Sequence, residues 1–282
     1  MTLQHDTARS QTTLRRSFTV GGPGMHTGQH AEVTVGPAPP DTGIVFLCGA
    51  RRIPARASFV VSTRRCTCLG DGVAQVHTVE HITSAFAGMG IDNAEVVVTG
   101  PEIPILDGSG LPWVELVRAH GIAAHTSPCR DLMLRETVAL RDGESWLVAV
   151  PAPRFSLTCV TSFDHPMLGT TVETFGGGTK EYAAQIAPSR TFGFIHEVEA
   201  LRAAGLAQGG SIDNALVIYE DRFSSPLRVP NEWLRHKALD LYGDLSLAGG
   251  LPRASVTAIM PGHRINTKFA ALLEERCVTR DA

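Results

Sequence analysis

Long apolar runs are what this 282-residue sequence lacks most clearly. Its apolar stretches, such as Ala94 to Val98, are interrupted by charged residues and fall well short of the roughly 20 residues that a membrane-spanning helix needs. The N-terminal stretch, Met1 to Arg16, also lacks the apolar core of a secretory signal. We therefore expect a cytoplasmic protein that does not span a membrane.

An excess of basic residues and a dense set of cysteines are also absent. The formal net charge is −3, whereas a general nucleic-acid binder is basic, so we expect no nucleic-acid partner. Six cysteines are spread over the chain, unlike a small disulfide-bonded domain, so we expect reduced thiols. Cys66 and Cys68 form a single C-x-C pair, which is a weak metal signal. A strand with both on one face and Thr67 on the other is the simpler interpretation.

The sequence does contain the same order of predicted strands and helices twice, once in each half. After opening strands, Thr78 to Met89 has the three- and four-residue apolar spacing of a helix. A predicted strand at Ala94 to Thr99 and a predicted helix at Pro112 to His120 follow. The second half repeats this order with a helix at about Glu232 to Ser246, a strand at Ala254 to Met260 and a helix at about Asn266 to Glu275.

A pause at His125 to Arg130, rich in polar residues and proline, separates the two halves. We therefore predict an α+β fold of two similar layered sandwich domains, residues 1–127 and 128–282, formed by a duplicated unit. An extra block in the second half, Thr191 to Tyr219, contains a predicted short helix and the pair Gly209-Gly210. Insertions of this kind often carry function.

Two histidines, His77 and His81, lie four residues apart at the start of a predicted helix, and Glu80 precedes the second. In a zincin-like interpretation both histidines bind metal and the glutamate activates water. However, the H-E-x-x-H motif places its glutamate directly after the first histidine, and that motif is not met. The alternative is a capped helix with polar surface residues.

A second pair, His236 and Asp240, lies at i and i+4 of a predicted helix, with Asp244 one turn further on. Alone, such a pair is an ordinary feature of a solvated helix face, and we expect Lys237 to point elsewhere. The duplication changes the interpretation, because His81 and His236 stand at the head of corresponding helices. If the halves pack face to face, His81, His236 and Asp240 meet as three ligands, which leaves the open position of a catalytic zinc site.

His263 follows Pro261 and Gly262 in a predicted loop between a strand and a helix. One interpretation is a simple surface residue. The other is a proton donor or charge stabiliser, in which case Asp244 could orient it and raise its pKa.

A series of motifs in order resembles one known family, the UDP-3-O-acyl-N-acetylglucosamine deacetylases. The resemblance extends from about Arg16 to Leu273 and implies two α+β domains with the active site between them. The motifs are Thr78-Val79-Glu80-His81, Gly90-Ile91-Asp92-Asn93, Pro101-Glu102-Ile103-Pro104 with Asp107-Gly108-Ser109, Arg190-Thr191-Phe192-Gly193-Phe194, Gly209-Gly210-Ser211 with Asp213-Asn214-Ala215, Arg235-His236-Lys237 with Asp240 and Gly243-Asp244, and Gly262-His263.

The resemblance implies a metal centre and a pair of proton carriers. Zinc, or iron in its place, would be held by the residues matching His81, His236 and Asp240. Glu80 matches the general base of the family, and His263 matches its acid or electrophilic partner.

Substrate contacts are implied in the same way. Thr191 matches a threonine that stabilises the oxyanion, and Lys237 matches a lysine near the substrate. Phe192, Phe194 and Gly210 fall in the block expected to form a tunnel for the acyl chain.

The implied activity is removal of the N-acetyl group from a UDP-linked, acylated glucosamine, which commits a Gram-negative-type bacterium to lipid A. We expect a monomer whose partner is this small-molecule substrate. Three alternatives remain open: a zinc amidase for another acylated amino sugar, a non-catalytic binder of acylated nucleotide sugars, and a purely structural zinc site.

Overall fold

The computed structural model describes residues 9–280, so residues 1–8 of the N-terminal stretch considered above lie outside it, as do residues 281–282. Within the described part, no helix combines the length and the hydropathy that a membrane crossing needs. The strands are β1 (Ser10–Leu14), β2 (Phe18–Pro23), β3 (His30–Pro37), β4 (Ile44–Cys48), β5 (Arg51–Pro54), β6 (Val60–Ser62), β7 (Cys68–Gly70), β8 (Gln75–Val76), β9 (Ala94–Val98), β10 (Ile122–Pro128), β11 (Asp131–Leu134), β12 (Val138–Asp142), β13 (Ser145–Pro151), β14 (Ser156–Phe163), β15 (Gly169–Gly176), β16 (Phe192–Phe194), β17 (Leu216–Ile218), β18 (Ala254–Ile259) and β19 (Cys277–Arg280). The helices are α1 (Glu80–Met89), α2 (Leu111–His120), α3 (Thr179–Glu181), α4 (Ile195–Ala203), α5 (Glu232–Ser246) and α6 (His263–Arg276).

Two five-stranded sheets have the same topology. Their spatial orders are β2-β3-β9-β4-β5 and β12-β13-β18-β14-β15. In both, the third strand of the unit pairs in parallel with the fifth, and the other neighbours are antiparallel. One helix precedes the fifth strand of each unit (α1 or α5) and one follows it (α2 or α6). The predicted α+β fold of a duplicated unit is confirmed.

The core lies on the helical side of the sheets. In β18 the buried residues Ala254, Val256 and Ala258 alternate with more exposed ones, which is the pattern of a strand with one covered face. Helix α5 packs on β14 and β15, α6 packs on β12 and β13, and α1 packs on α5. Helix α1 is buried on nearly all sides, as expected of a helix enclosed by other elements.

Residues 125–130, predicted to interrupt the regular structure, are wrongly predicted for most of their length. Strand β10 continues to Pro128 and pairs in antiparallel fashion with β1, from Leu14 opposite Ile122 to Ser10 opposite Pro128. Backbone pairing with β1 makes this polar segment extended, whatever its composition. We still propose a division between residues 127 and 128, because the two five-stranded sheets are formed from residues 18–98 and 138–259.

Three helix starts differ from the predictions, that of α2 by only one residue (Leu111 and not Pro112), whereas α5 has the bounds predicted for it. Helix α1 begins at Glu80, after Thr78, whose φ of 58° is left-handed and not helical. Helix α6 begins at His263, three residues earlier than predicted, because the extended Gly262 serves as its N-cap. His263 is therefore the first residue of a helix and not part of a loop.

The predicted strand through residues 66–68 is also wrong. Strand β7 begins only at Cys68, because Arg65 adopts a left-handed φ of 65° that interrupts the extended chain. Cys66, Thr67 and Cys68 are all buried. The alternation of faces predicted for a strand therefore does not extend through these three residues.

A buried ion pair joins the residue before Thr191 to the first turn of α5. The Arg190 guanidinium donates to both carboxylate oxygens of Glu232, at 2.7 and 3.0 Å, and the Arg190 backbone N–H donates to the same carboxylate at 2.9 Å. The side chains are only 5% and 0% exposed. Burial alone would raise the pKa of Glu232, but the hydrogen bonds from Arg190 hold it below its usual value.

We expect Glu232→Gln to lower the free energy of unfolding by about 3–5 kcal/mol, because it leaves the Arg190 charge buried without its partner. Urea denaturation measures this change. Arg222→Gln is the matched control, since the Arg222–Asp221 pair is exposed, and its effect should stay within about 0.5 kcal/mol. Equal, small effects of the two substitutions would contradict the expectation.

Candidate metal centre and active site

Helices α1 and α5 meet at a close contact centred on Gly243. A Cβ atom at this position would lie 2.2 Å from the carbonyl oxygen of Glu80, so only glycine permits this approach. His81 lies in the first turn of α1, and His236 and Asp240 lie one turn apart on α5. The contact therefore brings together the predicted ligands of the two units.

His81, His236 and Asp240 form a cluster that could hold a metal ion. Their ligand atoms lie within 4.8 Å of one another, and all three residues are buried. Nε2 of His236 lies 3.4 Å from Oδ1 of Asp240, and the two imidazole rings meet edge to face at 5.1 Å. Two nitrogens and one oxygen are a ligand set typical of catalytic zinc.

The protonation states of the cluster suit a cation. Burial lowers the pKa of His81 to about 3 and also lowers that of His236, so both rings are neutral near pH 7. Nδ1 of His236 lies 3.1 Å from the Ser189 carbonyl oxygen; it therefore donates there and leaves a lone pair on Nε2. Within the described residues, Nδ1 of His81 and Oδ1 of Asp240 are buried without a hydrogen-bond partner. The residues present therefore fit a metal ion.

Lys237 does not point away from the cluster, contrary to the prediction from helix spacing. Its Nζ donates to Oδ2 of Asp240 at 3.0 Å. Burial alone would raise the pKa of Asp240, but Lys237 and His236 outweigh it and lower that pKa. Lys237 thereby holds Asp240 ionised and leaves its other oxygen for a cation, as outer partners of metal ligands commonly do.

Glu80, His263 and Asp244 form a second polar group beside the cluster. Nε2 of His263 lies 3.7 Å from Oε1 of Glu80, and Nδ1 donates to Oδ2 of Asp244 at 2.9 Å. Asn266 donates to the same Asp244 oxygen at 3.0 Å. The histidine thus lies between two carboxylates, and its Nε2 is the nitrogen directed toward Glu80.

Burial and opposite charge set the proton affinities of this group. Burial raises the pKa of Glu80 to about 8, although the His263 charge opposes the rise. Burial alone would lower the pKa of His263, but Asp244 and Glu80 outweigh it and raise it to about 9. His263 is therefore protonated near pH 7. A cation beside Glu80 would favour its carboxylate form, and the pair would then offer one proton acceptor and one proton donor.

A cavity of about 490 Å³ opens onto these residues. Its polar end includes Glu80, His81, His236, Asp240 and His263. Its apolar wall comes largely from the block predicted as an insertion, which consists of β16, α4, a loop and β17. The apolar residues of this wall include Ile195, Val198, Leu201, Ala207, Ile212 and Val217.

The predicted substrate contacts divide into two groups. Thr191, Phe192, Gly210 and Lys237 line the cavity. Phe194 lies in the same strand as Phe192, but its ring packs on Phe163 at 5.5 Å and stacks on His196.

Comparisons with known proteins match nearly the whole chain. The family model of UDP-3-O-acyl N-acetylglycosamine deacetylase (LpxC) matches residues 11–275. The chain belongs to this deacetylase family.

Three bacterial relatives named UDP-3-O-acyl-N-acetylglucosamine deacetylase agree with this assignment. The Myxococcus xanthus protein is 40% identical over 266 residues, which cover 92% of this chain and 85% of the relative. The Syntrophotalea carbinolica protein is 42% identical over 262 residues, covering 91% and 85%. The Thermosynechococcus vestitus protein is 40% identical over 276 residues, covering 96% of each chain.

The zincin-like interpretation, in which His77 binds metal together with His81, is wrong. Within residues 9–280, the group of side chains that could hold a metal ion contains His81 but not His77. The backbone of His77 instead forms a bridge with Glu102, and the left-handed Thr78 separates His77 from α1. His77 and His81 therefore do not share a helical face.

Thr67 is the site neighbour that sequence reasoning missed. Its backbone N–H donates to Oε2 of Glu80 at 3.0 Å, and its hydroxyl donates to Oδ1 of Asp244 at 2.6 Å. The available signal in the sequence was its position between Cys66 and Cys68, and the strand interpretation placed it on the face opposite the two cysteines.

We expect purified protein to bind one zinc ion per chain, and His236→Ala and Asp240→Ala to lose it. Metal analysis after dialysis measures this. His30→Ala, at an exposed histidine of β3, is the control and should keep the ion. Chelation should leave the far-ultraviolet circular dichroism unchanged, because α1 and α5 both contribute apolar side chains to one buried core. Unfolding upon chelation would instead indicate a structural zinc site.

Proposed function

We propose that this chain is a zinc-dependent hydrolase that removes the N-acetyl group of UDP-3-O-acyl-N-acetylglucosamine. The products are acetate and the free amine, and the reaction would be the committed step of lipid A biosynthesis. The observation that carries the proposal is one cavity with a three-ligand cluster and two proton carriers at its polar end and an apolar wall elsewhere. The names of the family and of the relatives support the substrate.

The proposed cofactor is one zinc ion, with iron as a substitute, held by His81, His236 and Asp240. When bound, it would supply Lewis acidity that polarises the acetamide carbonyl and lowers the pKa of water. The cluster itself contributes two neutral imidazoles and one ionised carboxylate, which Lys237 orients through its bond to Oδ2.

Glu80 and His263 would transfer protons in different steps, Glu80 from the attacking water and His263 to the leaving nitrogen. Glu80 accepts a proton from the attacking water at Oε1, since Oε2 already accepts the Thr67 N–H. The water oxygen bonds to the carbonyl carbon, and the C–N bond breaks as Nε2 of His263 gives its proton to the leaving nitrogen. Asp244 orients His263 by accepting the Nδ1 proton.

Other cavity residues would stabilise charge and bind the substrate. The Thr191 hydroxyl, at the cavity wall, would donate to the oxyanion, and a donor of this kind contributes about 3–4 kcal/mol. The apolar wall and Phe192 would bury the acyl chain, with about 0.8 kcal/mol gained per buried methylene. Gly210 and Lys237 would contact the substrate from the same walls.

We expect Glu80→Gln to lower kcat for acetate release by about 10²- to 10⁴-fold, because the amide cannot accept the water proton. The assay uses UDP-3-O-acyl-N-acetylglucosamine and zinc-loaded protein, with zinc content measured in parallel. Glu144→Gln, at an exposed turn between β12 and β13, is the control and should match the wild type. Near wild-type turnover by Glu80→Gln would contradict the assignment of Glu80 as the general base.

The pH dependence should report the protonated His263. Because its pKa is raised to about 9, activity should be lost as the pH rises through that value. Asp244→Asn removes the carboxylate that raises this pKa, so the alkaline limb of kcat/KM should move to lower pH. Asp221→Asn, at an exposed carboxylate, should leave the limb in place. An unmoved limb in Asp244→Asn would contradict the assignment.

The same assay separates the alternatives. Equal turnover of unacylated N-acetyl sugars would favour an amidase without a role for the apolar wall. Zinc-loaded wild type that binds the substrate but releases no acetate would favour a non-catalytic binder. The monomeric state and the cytoplasmic location remain predictions from the sequence.

A further inference from the structure

Thr67 lies at the point where the two units meet around the proton carriers. It precedes β7 and is fully buried. Its carbonyl oxygen accepts the Val79 backbone N–H at 3.2 Å, so its backbone is attached to the chain directly before Glu80. The backbone of Thr67 is therefore hydrogen-bonded to the start of α1.

The side chain of Thr67 reaches across to the other unit. Its hydroxyl is 2.6 Å from Oδ1 of Asp244 on α5, a length typical of a hydroxyl bonded to a carboxylate. A carboxylate only accepts, so the hydroxyl proton belongs to this bond. The hydroxyl oxygen also lies 3.3 Å from Nδ1 of His263.

These bonds divide the two oxygens of Asp244 between different partners. Oδ2 accepts from His263 and Asn266, whereas Oδ1 accepts from Thr67. Without the hydroxyl, only the bonds to Oδ2 would restrain rotation of the carboxylate about its Cβ–Cγ bond. The direction of the His263 ring would then be less firmly fixed.

We propose that Thr67 is a positioning residue that sets the geometry between Glu80 and the His263–Asp244 pair. Its N–H orients Glu80, and its hydroxyl orients Asp244 and through it His263. One residue thereby fixes the proton acceptor from the first unit relative to the proton donor from the second. The kinetic part of this inference rests on the proposed deacetylase function.

Thr67→Val tests the hydroxyl alone, since it keeps the branched shape and the backbone N–H. We expect kcat for acetate release to fall about 10²-fold, as for a misplacement of about 1 Å, with KM and zinc content close to wild type. Thr67→Ser should restore kcat to within a few-fold. Thr161→Val is the matched control, because Thr161 is equally buried and its hydroxyl has no hydrogen-bond partner within residues 9–280.

A proton NMR measurement tests the geometry without turnover. The downfield resonance of the His263 Nδ1 proton, assigned by its loss in His263→Ala, should shift or broaden in Thr67→Val and stay unchanged in Thr67→Ser and Thr161→Val. This readout decides the inference even if the wild type releases no acetate, an outcome that would count only against the proposed function.

Two outcomes would overturn the positioning role. One is a folded Thr67→Val variant with wild-type kcat and an unmoved His263 resonance. The other is a loss of kcat in Thr67→Ser as large as that in Thr67→Val. If Thr67→Val does not fold, Thr67→Ala takes its place in the same comparison.

Discussion

The close approach of α1 and α5 is the constraint on which the candidate site depends. With a side chain at Gly243, the carbonyl of Glu80 could not stay where it is, and His81 would move away from His236 and Asp240. The two sheets have the same strand order, so the two helices occupy corresponding places in their units. Because of the duplication, two similar helices pack against each other. Gly243 lets them come close enough for His81, His236 and Asp240 to reach one metal ion.

Burying so many ionisable groups at one junction requires a partner for each. Asp240 has Lys237, Asp244 has His263, and the Thr67 N–H supports Glu80. A charged carboxylate buried without enough partners is costly, so it takes up a proton instead, which is the direction in which burial moves the pKa of Glu80. Oδ1 of Asp240, however, has no hydrogen-bond partner within the described residues. A cation bound to this oxygen would supply the missing partner.

Patterns that repeat along the chain predicted the fold and much of the site. The repeated order of elements predicted α5 at about its observed bounds, and the same duplication suggested that His81 and His236 would meet. The missed features depend on single backbone conformations or on distant partners. The left-handed Arg65 redirects residues 66–68, and β1 makes residues 122–128 a strand. Lys237 turns toward Asp240: burial alone would lower the pKa of Lys237, but the charge of Asp240 and its hydrogen bond outweigh burial and raise it. Helix spacing alone does not reveal this contact.

The division of the ligands between two units also has a consequence for the lifetime of the protein. A cation held by His81, His236 and Asp240 would bind only while α1 and α5 are packed together, because the unfolded chain separates them. By mass action, a ligand at 100 times its Kd stabilises the folded form by about 2.7 kcal/mol. Metal-loaded protein would then unfold less often than metal-free protein, and less of it would be exposed to proteases in the unfolded form.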